Sequence, residues 1–460
     1  MLTVLHALLA CFLGVCAAQR AAPIDLHPRS AEPRGHSLTM EIAYDSPKEV
    51  NKTFGWDNFR AVAPYIDMAL SGPGALNPRL RVAGIQTVLY LDTNACSAKS
   101  GYGANEYAGP DCADWTAGAF YAQDAHPDRV LTVSYNGVIL QRIGDPGTPE
   151  WQQRTVDEIR DASSRFRFEA VEIDDAGTPD ELSGNDPCWG IGTIAGRSYD
   201  CTTAPGGVAH PPWNARYSRA EWQAGMEAMA ARSPLPVMFN GLAGYDKHES
   251  VPAIVDVVVH SANAWGAMCD TCFYGTRGYR NVYLFTHPVV DVRLNGAMRI
   301  IAAHKNVIVL NSDVTDPLER VRALAEIMLA YDPDHLWQAG DECGSISLIH
   351  ACPESALTFY APYKGYPAGV GDVEDTSGNY VREFARCYDN GKLLGPCATV
   401  VNADRTLSFP RPKLRNTYRH TLSIQGTALC NCYGDRGSLS EGGPALPEVI
   451  PPVSGYVVFR

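Results

Sequence analysis

The sequence predicts an α/β protein in which a parallel (β/α)8 barrel, the TIM-barrel architecture, is followed by a small C-terminal all-β, sandwich-like module. Short apolar runs alternate with helical segments over most of the 460 residues, which is typical of a parallel α/β fold. No Gly-x-Gly-x-x-Gly motif follows the first strand, and this favours a barrel over a doubly wound sheet. From Ser377 onward short alternating runs separated by turn residues replace the helical spacing, which indicates an all-β module.

The first 37 residues precede the predicted barrel. Residues 2–18 form an apolar run that ends in small residues, which is typical of a secretory signal peptide although no Lys or Arg precedes it. Residues 8–11 also weakly resemble a lipoprotein cleavage site. Residues 19–37 are polar and rich in Pro and Arg, which predicts a linker. We therefore expect a signal peptide at 1–18, a linker at 19–37, the barrel at 38–372 and the C-terminal module at 373–460.

The predicted strands and helices alternate along the chain. Barrel strands are predicted at 38–44, 84–91, 130–135, 166–175, 235–239, 254–259, 306–310 and, for the eighth, either 335–338 or 345–349. Helices are predicted at 56–70, 150–163, 218–231, 291–303 and 317–331, and Thr148 with Pro149 suits the start of the second of these. Strands of the C-terminal module are predicted at 380–385, 398–401, 421–424 and 455–459.

Charge and cysteine content restrict the class of protein. The net charge of −13 with no basic patch argues against a nucleic-acid partner, and no segment beyond residue 18 is apolar enough to span a bilayer. Outside the first 18 residues the cysteines form sequence neighbours, which predicts local disulfides and export to the extracellular space or periplasm. The predicted pairs are Cys96/Cys112, Cys188/Cys201, Cys269/Cys272, Cys343/Cys352, Cys387/Cys397 and Cys430/Cys432.

Two alternatives to this cysteine pairing stay open. A Cys-x-Cys bridge is strained, so Cys430 and Cys432 could instead pair with Cys387 and Cys397. Zinc could bind the Cys-x-x-Cys segment at 269–272, but no second ligand pair follows at zinc spacing. We therefore expect neither a structural metal nor a cofactor.

Polar residues stand at the end of one predicted strand after another. They are Asp45, Asp92, Asn136, Asp174, Asn240, Asn263, Asp313 and Asp341. Turns favour Asp and Asn at any single position. Because the carboxyl ends of parallel barrel strands meet at the face where such barrels carry their active sites, the whole set favours a ligand cleft.

The fourth strand carries the strongest signal of chemistry. Its period of two places Val171 and Ile173 on one face, and Glu172 and Asp174 on the other. A buried carboxylate is costly unless it is paired or reached by water or ligand. The pair is therefore either a salt-bridged structural feature under a loop or a catalytic site at the end of a barrel strand.

Several segments together resemble one family. The segments are 147–152, 168–175 (Phe-Glu-Ala-Val-Glu-Ile-Asp-Asp), 320–331, 380–384, 390–391, 401–402 and 451–458. In this order they resemble the glycoside-hydrolase-like barrel proteins related to the endo-α-1,4-polygalactosaminidase group, over residues 38–460. The resemblance implies that Asp174 is a catalytic carboxylate and that a second acid lies near the end of strand six. Residues 256–263 depart from that pattern, because no Glu ends them.

The strand-four segment is also similar to the chitinase-type pattern, but Ala176 stands where that pattern has its proton-donating Glu. Glycosidic cleavage usually needs two carboxyl groups, one to give a proton and one to attack or to activate water. The catalytic candidates are Asp174, Asp175 and Asp313, and Asp341 or Glu342 is a further possible partner. Glu172 is expected to orient Asp174.

Further residues are predicted to bind substrate. They are Asp45, Asp92, Glu172, Asn240, His260, Asn263, Trp265 and Asp341. Aromatic rings can stack on sugar faces, so Trp115, Trp189, Trp213 and Trp265 are candidate platforms, although each could equally form a small local core. His260 is either a proton shuttle or a hydrogen-bonding core residue.

The function predicted from these patterns is that of a secreted glycoside hydrolase. It would cleave a polysaccharide or oligosaccharide by carboxylate acid/base chemistry without a cofactor. One alternative is a carbohydrate-binding protein without catalytic activity, which the departure at strand six favours. The other is a metal-dependent hydrolase that uses the Asp cluster together with His260.

Overall fold

A computed structural model describes residues 38–42, 66–71, 76–82, 84–93, 95–97, 115–120, 122–123, 126–130, 132–135, 138–174, 176–178, 191–194, 197–200, 218–242, 251–269, 287–310, 317–332, 334–340, 357–362, 374–376, 378–389, 392–404, 406–425, 438–440 and 442–460. The predicted signal peptide and linker lie outside these residues. None of the helices in the described ranges is both long and apolar enough to cross a membrane.

Eight parallel strands close into a barrel in chain order, as predicted. They are β1 (Leu38–Ile42), β2 (Ile66–Ser71), β3 (Gln86–Asp92), β4 (Ala170–Asp174), β5 (Val237–Asn240), β6 (Ala264–Cys269), β7 (Asn306–Leu310) and β8 (Leu336–Gly340). Each strand pairs with the next, and β8 returns to β1, where Gln338 pairs with Leu38. Of the two segments proposed for the eighth strand, the earlier one forms it.

Six helices surround the described barrel. They are α1 (Leu76–Val82), α2 (Pro149–Arg165), α3 (Arg219–Arg232), α4 (Ala253–His260), α5 (His287–Ala302) and α6 (Pro317–Ala330). The predicted start of α2 is confirmed, because the Thr148 hydroxyl accepts from the Trp151 amide and Pro149 occupies the first turn. Thr148 thus satisfies one of the amides that a helix leaves free at its start.

The secondary structure of two segments was predicted wrongly. Residues 66–70, predicted as the end of a helix, form strand β2, in which Met68 and Leu70 lie in the barrel interior. Residues 254–259, predicted as the sixth strand, form helix α4, and β6 follows it. A strand or a helix that is buried on every side has an almost continuously apolar sequence. The spacing of hydrophobic residues therefore cannot distinguish the two.

Residues 130–135 do form extended chain, but not in the barrel. Thr132–Tyr135 belongs to an antiparallel sheet of five strands ordered Arg197–Asp200, Ile191–Ile194, Thr132–Tyr135, Val138–Ile143, Ala95–Ser97. The connection after β3 supplies three of these strands and the connection after β4 supplies two. The two connections join where Gly192 pairs with Tyr135. We call this the insert sheet. Its strands belong to the two connections that follow the carboxyl ends of β3 and β4.

The C-terminal all-β module is built on one antiparallel sheet. Its strands are β9 (Leu357–Pro362), β10 (Glu374–Thr376), β11 (Asn379–Asp389), β12 (Lys392–Asn402), β13 (His420–Thr421) and β14 (Ser454–Phe459). Because β9 pairs with β11, the sheet begins earlier than the expected boundary at 372/373. The Cys387–Cys397 disulfide links β11 to β12, so the alternative pairing of these two cysteines with Cys430 and Cys432 is wrong. Cys96 is also disulfide-bonded.

The two faces of this sheet have different cover. Phe359, Phe384 and Phe459 join the main core of the barrel helices. On the other face, Val381, Val400 and Val458 pack with Leu446 and Ile450, and Leu414, Tyr418 and Tyr456 lie against them. Among the described residues, short segments and two-stranded ladders rather than a second large sheet cover this face. The module is therefore only loosely sandwich-like.

Helix α6 joins the barrel to the module. Its Arg322 and Glu326 form a buried ion pair, with Nε and Oε1 3.1 Å apart and side chains 4% and 2% exposed. Arg322 also donates to the Val453 carbonyl at 3.1 Å. In the other direction, Arg382 donates to the Leu329 carbonyl and Thr399 to the Ala325 carbonyl, each at 2.7 Å. Polar groups thus cross the interface within a continuous apolar core.

Gly225 in α3 lets the turn before α2 approach the helix. A Cβ at Gly225 would lie 1.9 Å from the Pro146 carbonyl oxygen. Gly225→Ala should therefore destabilise the protein by about 2 kcal/mol or more, despite the roughly 1 kcal/mol that Ala ordinarily gains inside a helix. Urea unfolding measures this change.

Gly296→Ala in α5 is the matched control for Gly225→Ala. Its Cβ would meet only the side-chain methyl groups of Leu242 and Val255 at 3.2 and 3.3 Å. These groups can move, so we expect little change or a small gain in stability. Equal effects of the two substitutions would contradict the packing of the Pro146 turn on α3.

Candidate active site

The barrel interior changes from apolar to polar along the strands. The apolar part consists of Met68, Leu70, Val88, Ala170, Met238, Trp265, Met268 and Ile308. Farther along β3 and β4, Tyr90 pairs in register with Glu172, and Asp92 pairs with Asp174. Inward-facing residues recur every second position. The two strands therefore bring one phenol and three carboxyl groups to the carboxyl end of the barrel.

Asp174 is held by two neutral hydrogen-bond donors from the flanking strands. The Tyr90 hydroxyl donates to Oδ2 at 2.5 Å, and the Asn240 amide donates to Oδ1 at 2.7 Å. Asp174 is half-buried, whereas Tyr90 is 8% and Asn240 9% exposed. The arrangement fixes the direction of the carboxylate and leaves it accessible.

Asp92 and Glu172 place further carboxyl groups beside Asp174. Neighbouring strands lie about 4.8 Å apart, so in-register Asp92 and Asp174 are adjacent. Glu172 lies one layer deeper in β4 and is fully buried, and Asp92 is 9% exposed.

Backbone contacts hold the ends of the site strands. The Ala176 amide donates to the Asn240 carbonyl at 2.6 Å. A Cβ at Gly241 would lie 2.6 Å from the Ala176 carbonyl oxygen, so the close approach of these chains requires glycine. On the other side, the indole of Trp151, which is fully buried, donates to the Thr93 carbonyl at 2.9 Å just after Asp92.

Four predicted site residues, Asp92, Glu172, Asp174 and Asn240, come together in this arrangement. Three other predicted site residues, His260, Asn263 and Trp265, lie elsewhere. His260 ends helix α4 and Asn263 precedes β6, so both lie at the amino end of the barrel. The Asn263 amide donates to the carbonyls of Ala230, Ser233 and Leu235 and holds the segment that leads into β5.

The expectation that His260 and Asn263 line the site was wrong because it rested on a sixth strand at 254–259. The metal-dependent alternative, which joined His260 to the Asp cluster, loses its geometric basis for the same reason. Trp265 is the second residue of β6 and packs in the apolar barrel interior, so it is a core residue rather than a sugar platform. Trp115 is 8% exposed and stacks on Phe120 with ring centroids 5.2 Å apart, which makes it part of a local core.

The remaining predicted site residues lie outside the described part of the chain. They are Asp45, Asp175, Asp313, Asp341 and Glu342, together with Trp189 and Trp213. Sequence reasoning missed Tyr90, although it stands two positions before Asp92 in an alternating strand.

Asp145 lies in the turn before α2, where its Oδ1 accepts from the Gly147 amide at 2.9 Å. Burial raises the pKa of Asp145 from 3.8 to about 6, the Gly147 hydrogen bond opposes this rise, and the negative charge of Glu221 adds to it. A raised pKa means that the folded state binds the proton more tightly than the unfolded chain. This contribution to stability is complete below pH 4 and is lost as the pH rises through about 6.

Asp145→Asn should remove this pH dependence. After allowance for solvent at this half-buried group, we expect the variant to be more stable than the wild type by about 1–2 kcal/mol at pH 7 but not at pH 4. Urea unfolding of both proteins between pH 4 and 7 measures the difference. Glu221→Gln should reduce the dependence without removing it, because burial is the larger cause. A constant difference between wild type and Asp145→Asn across this range would contradict the assignment.

Comparisons with known proteins give fold-level likenesses only. No family model and no curated protein matches the chain. The glycoside hydrolase domain of PelA from Pseudomonas aeruginosa is 11% identical with a TM-score of 0.38, over 66% of this chain and 94% of that one. Trehalose-6-phosphate hydrolase (TreA) from Bacillus licheniformis is 8% identical with a TM-score of 0.40, over 93% and 99% of the two chains.

An alpha-amylase from Malbranchea cinnamomea is 9% identical with a TM-score of 0.37, over 93% of this chain and 97% of that one. These structural neighbours are glycoside hydrolases with barrel folds. Likenesses of this strength do not carry an activity over to this chain.

Proposed function

We propose that the protein hydrolyses glycosidic bonds in a polysaccharide or oligosaccharide, with Asp174 as a catalytic carboxylate. The observation that supports this most is the accessible Asp174 carboxylate at the carboxyl end of β4, with one donor on each oxygen. Barrels of this architecture carry their chemistry at that end of the strands.

The reaction needs a second carboxyl group as proton donor. The group must lie across the cleft from Asp174, so that a sugar fits between the two. Asp313 and Asp341 follow β7 and β8 in the sequence and remain candidates, as does Asp175. We add Asp270, because it directly follows β6 in the sequence, as Asp341 directly follows β8.

The substrate class and the compartment are also part of the proposal. The resemblance to the endo-α-1,4-polygalactosaminidase group makes α-1,4-linked polysaccharides the first substrates to test. The predicted signal peptide and the disulfide-bonded cysteines Cys96, Cys387 and Cys397 support action outside the cytosol.

A polysaccharide panel tests the proposal. The purified protein would be incubated with α-linked and β-linked polysaccharides, and the release of reducing ends measured with and without a chelator. We expect cleavage of at least one member that persists in the chelator. Loss of cleavage on chelation would instead support a metal-dependent hydrolase. Binding to the panel without any cleavage would support a carbohydrate-binding protein and contradict the proposed activity.

A further inference from the structure

We infer that Tyr90 and Asn240 are positioning residues that fix the direction of the Asp174 carboxylate, so that Asp174 supplies the electron pair of the reaction and a different side chain donates the proton. This inference rests on the proposed glycoside hydrolysis and adds the division of roles within it. Neither tyrosine nor asparagine would itself bond to the reacting atoms.

The directions of the two hydrogen bonds support the inference. The Tyr90 hydroxyl and the Asn240 amide each donate, at 2.5 and 2.7 Å, to different oxygens of Asp174. A carboxylate accepts hydrogen bonds through both of its oxygens, so two donors on different oxygens fix its direction.

The two donors come from the strands on either side of β4. Asp92 faces Asp174 from β3, Glu172 lies below it in β4, and Asn240 of β5 lies at the same level. Both donors are largely buried and come from barrel strands rather than loops, so their directions are fixed before substrate binds.

The division of roles gives a balanced step. The bond between the anomeric carbon and the leaving oxygen breaks, and its electron pair stays on that oxygen, which takes a proton from the acid. The new bond to the anomeric carbon forms from Asp174, or from a water molecule whose proton Asp174 removes. Hydrolysis then adds one water across the bond and restores both carboxyl groups.

Two glycosides with the same sugar but different leaving groups test these roles. One carries a nitrophenol, which leaves without a proton, and the other carries an aliphatic alcohol, which needs one. Loss of the proton donor would spare the nitrophenyl substrate, whereas loss of the electron-pair donor or its positioning residues would not. The ratio of kcat/KM on the two substrates is independent of how much of a variant is folded.

Tyr90→Phe removes only the hydroxyl, and Asn240→Asp replaces the donor by a carboxylate of the same shape. We expect Tyr90→Phe to lower kcat about 100-fold on both substrates with KM within about threefold of the wild-type value. Asn240→Asp should lower kcat further, because it adds a like charge. Tyr456→Phe, which loses a hydroxyl on the outer face of the C-terminal sheet, should leave kcat unchanged.

Two results would overturn the inference. One is unchanged kcat in Tyr90→Phe. The other is a loss confined to the aliphatic substrate in Tyr90→Phe or Asp174→Asn, which would identify Asp174 as the proton donor. If the wild-type protein cleaves neither glycoside nor any polysaccharide, the proposed function itself fails. That outcome is distinguishable from the first two, since those require an active wild type.

Discussion

Replacing Asp174 by Asn is expected to lower kcat by about 1,000-fold or more on every glycoside that the wild type cleaves. An amide cannot supply the electron pair that the reaction requires from this position. The substitution keeps the side-chain shape but points one N–H group toward a donor, either Tyr90 or Asn240. The steady-state rate on the best substrate of the panel measures the effect.

Two further measurements separate lost chemistry from lost folding in Asp174→Asn. The free energy of unfolding in urea should change by only about 1 kcal/mol, the value of one hydrogen bond. Oligosaccharide binding, measured by calorimetry, should persist, because the rest of the cleft is unchanged. Asp157→Asn on the exposed face of α2 is the matched control and should keep full activity. Full activity in Asp174→Asn would contradict the assignment of Asp174 as a catalytic carboxylate.

Glu326→Ala is expected to destabilise the protein by about 3–5 kcal/mol. The substitution leaves the Arg322 guanidinium, only 4% exposed, between α6 and the C-terminal sheet without its carboxylate partner. Arg322 also donates to the Val453 carbonyl, but this oxygen is a neutral acceptor and cannot replace the lost charge. Urea unfolding followed by circular dichroism measures the loss.

An exposed pair of the same kind provides the control for Glu326→Ala. Asp161 and Arg165 on α2 are also four residues apart and ion-paired, but their side chains are 63% and 58% exposed. Asp161→Ala should cost less than about 1 kcal/mol. The double variant Arg322→Met with Glu326→Leu removes both charges and should recover most of the stability. A small loss in Glu326→Ala would show that water reaches this interface.

The sequence carried enough information for the barrel and for the centre of the site. The alternation in strand β4 placed Glu172 and Asp174 on one face, and the structure has both in the barrel interior. Two errors offset each other, since the missed strand Ile66–Ser71 and the misplaced strand at 130–135 left the count at eight. Strand β4 therefore kept its position as the fourth strand, and Asp174 lies at its carboxyl end.

The secondary structure of helix α4 could not be predicted from the local sequence pattern. Its run of Ile and Val favours a strand by intrinsic preference, yet it packs as a helix with five residues buried. Asp256 is the polar exception, and it binds Arg299 of α5 at 2.6 Å and accepts from Gln223 of α3 at 3.3 Å. These partners are distant in sequence, so only the tertiary structure determines the helix.

The partners of Asp174 were beyond sequence reasoning for a related reason. Tyr90 and Asn240 lie 84 and 66 residues away along the chain, and strand register alone brings them to its two oxygens. Asn240 was predicted at the site, but as a substrate ligand. Tyr90 read as one more apolar residue in a buried strand, because nothing local distinguishes a phenol that packs from one that donates a hydrogen bond.

The pairing of Leu38 with Gln338 has a consequence for how the chain is made. On the ribosome β1 emerges first, but its second neighbour, β8, is synthesised only after the six barrel strands β2 to β7. Until then the growing sheet has two open edges, which can pair with other chains. A nascent chain that stalls before residue 336 should therefore be prone to aggregation and dependent on chaperones, however stable the finished protein is.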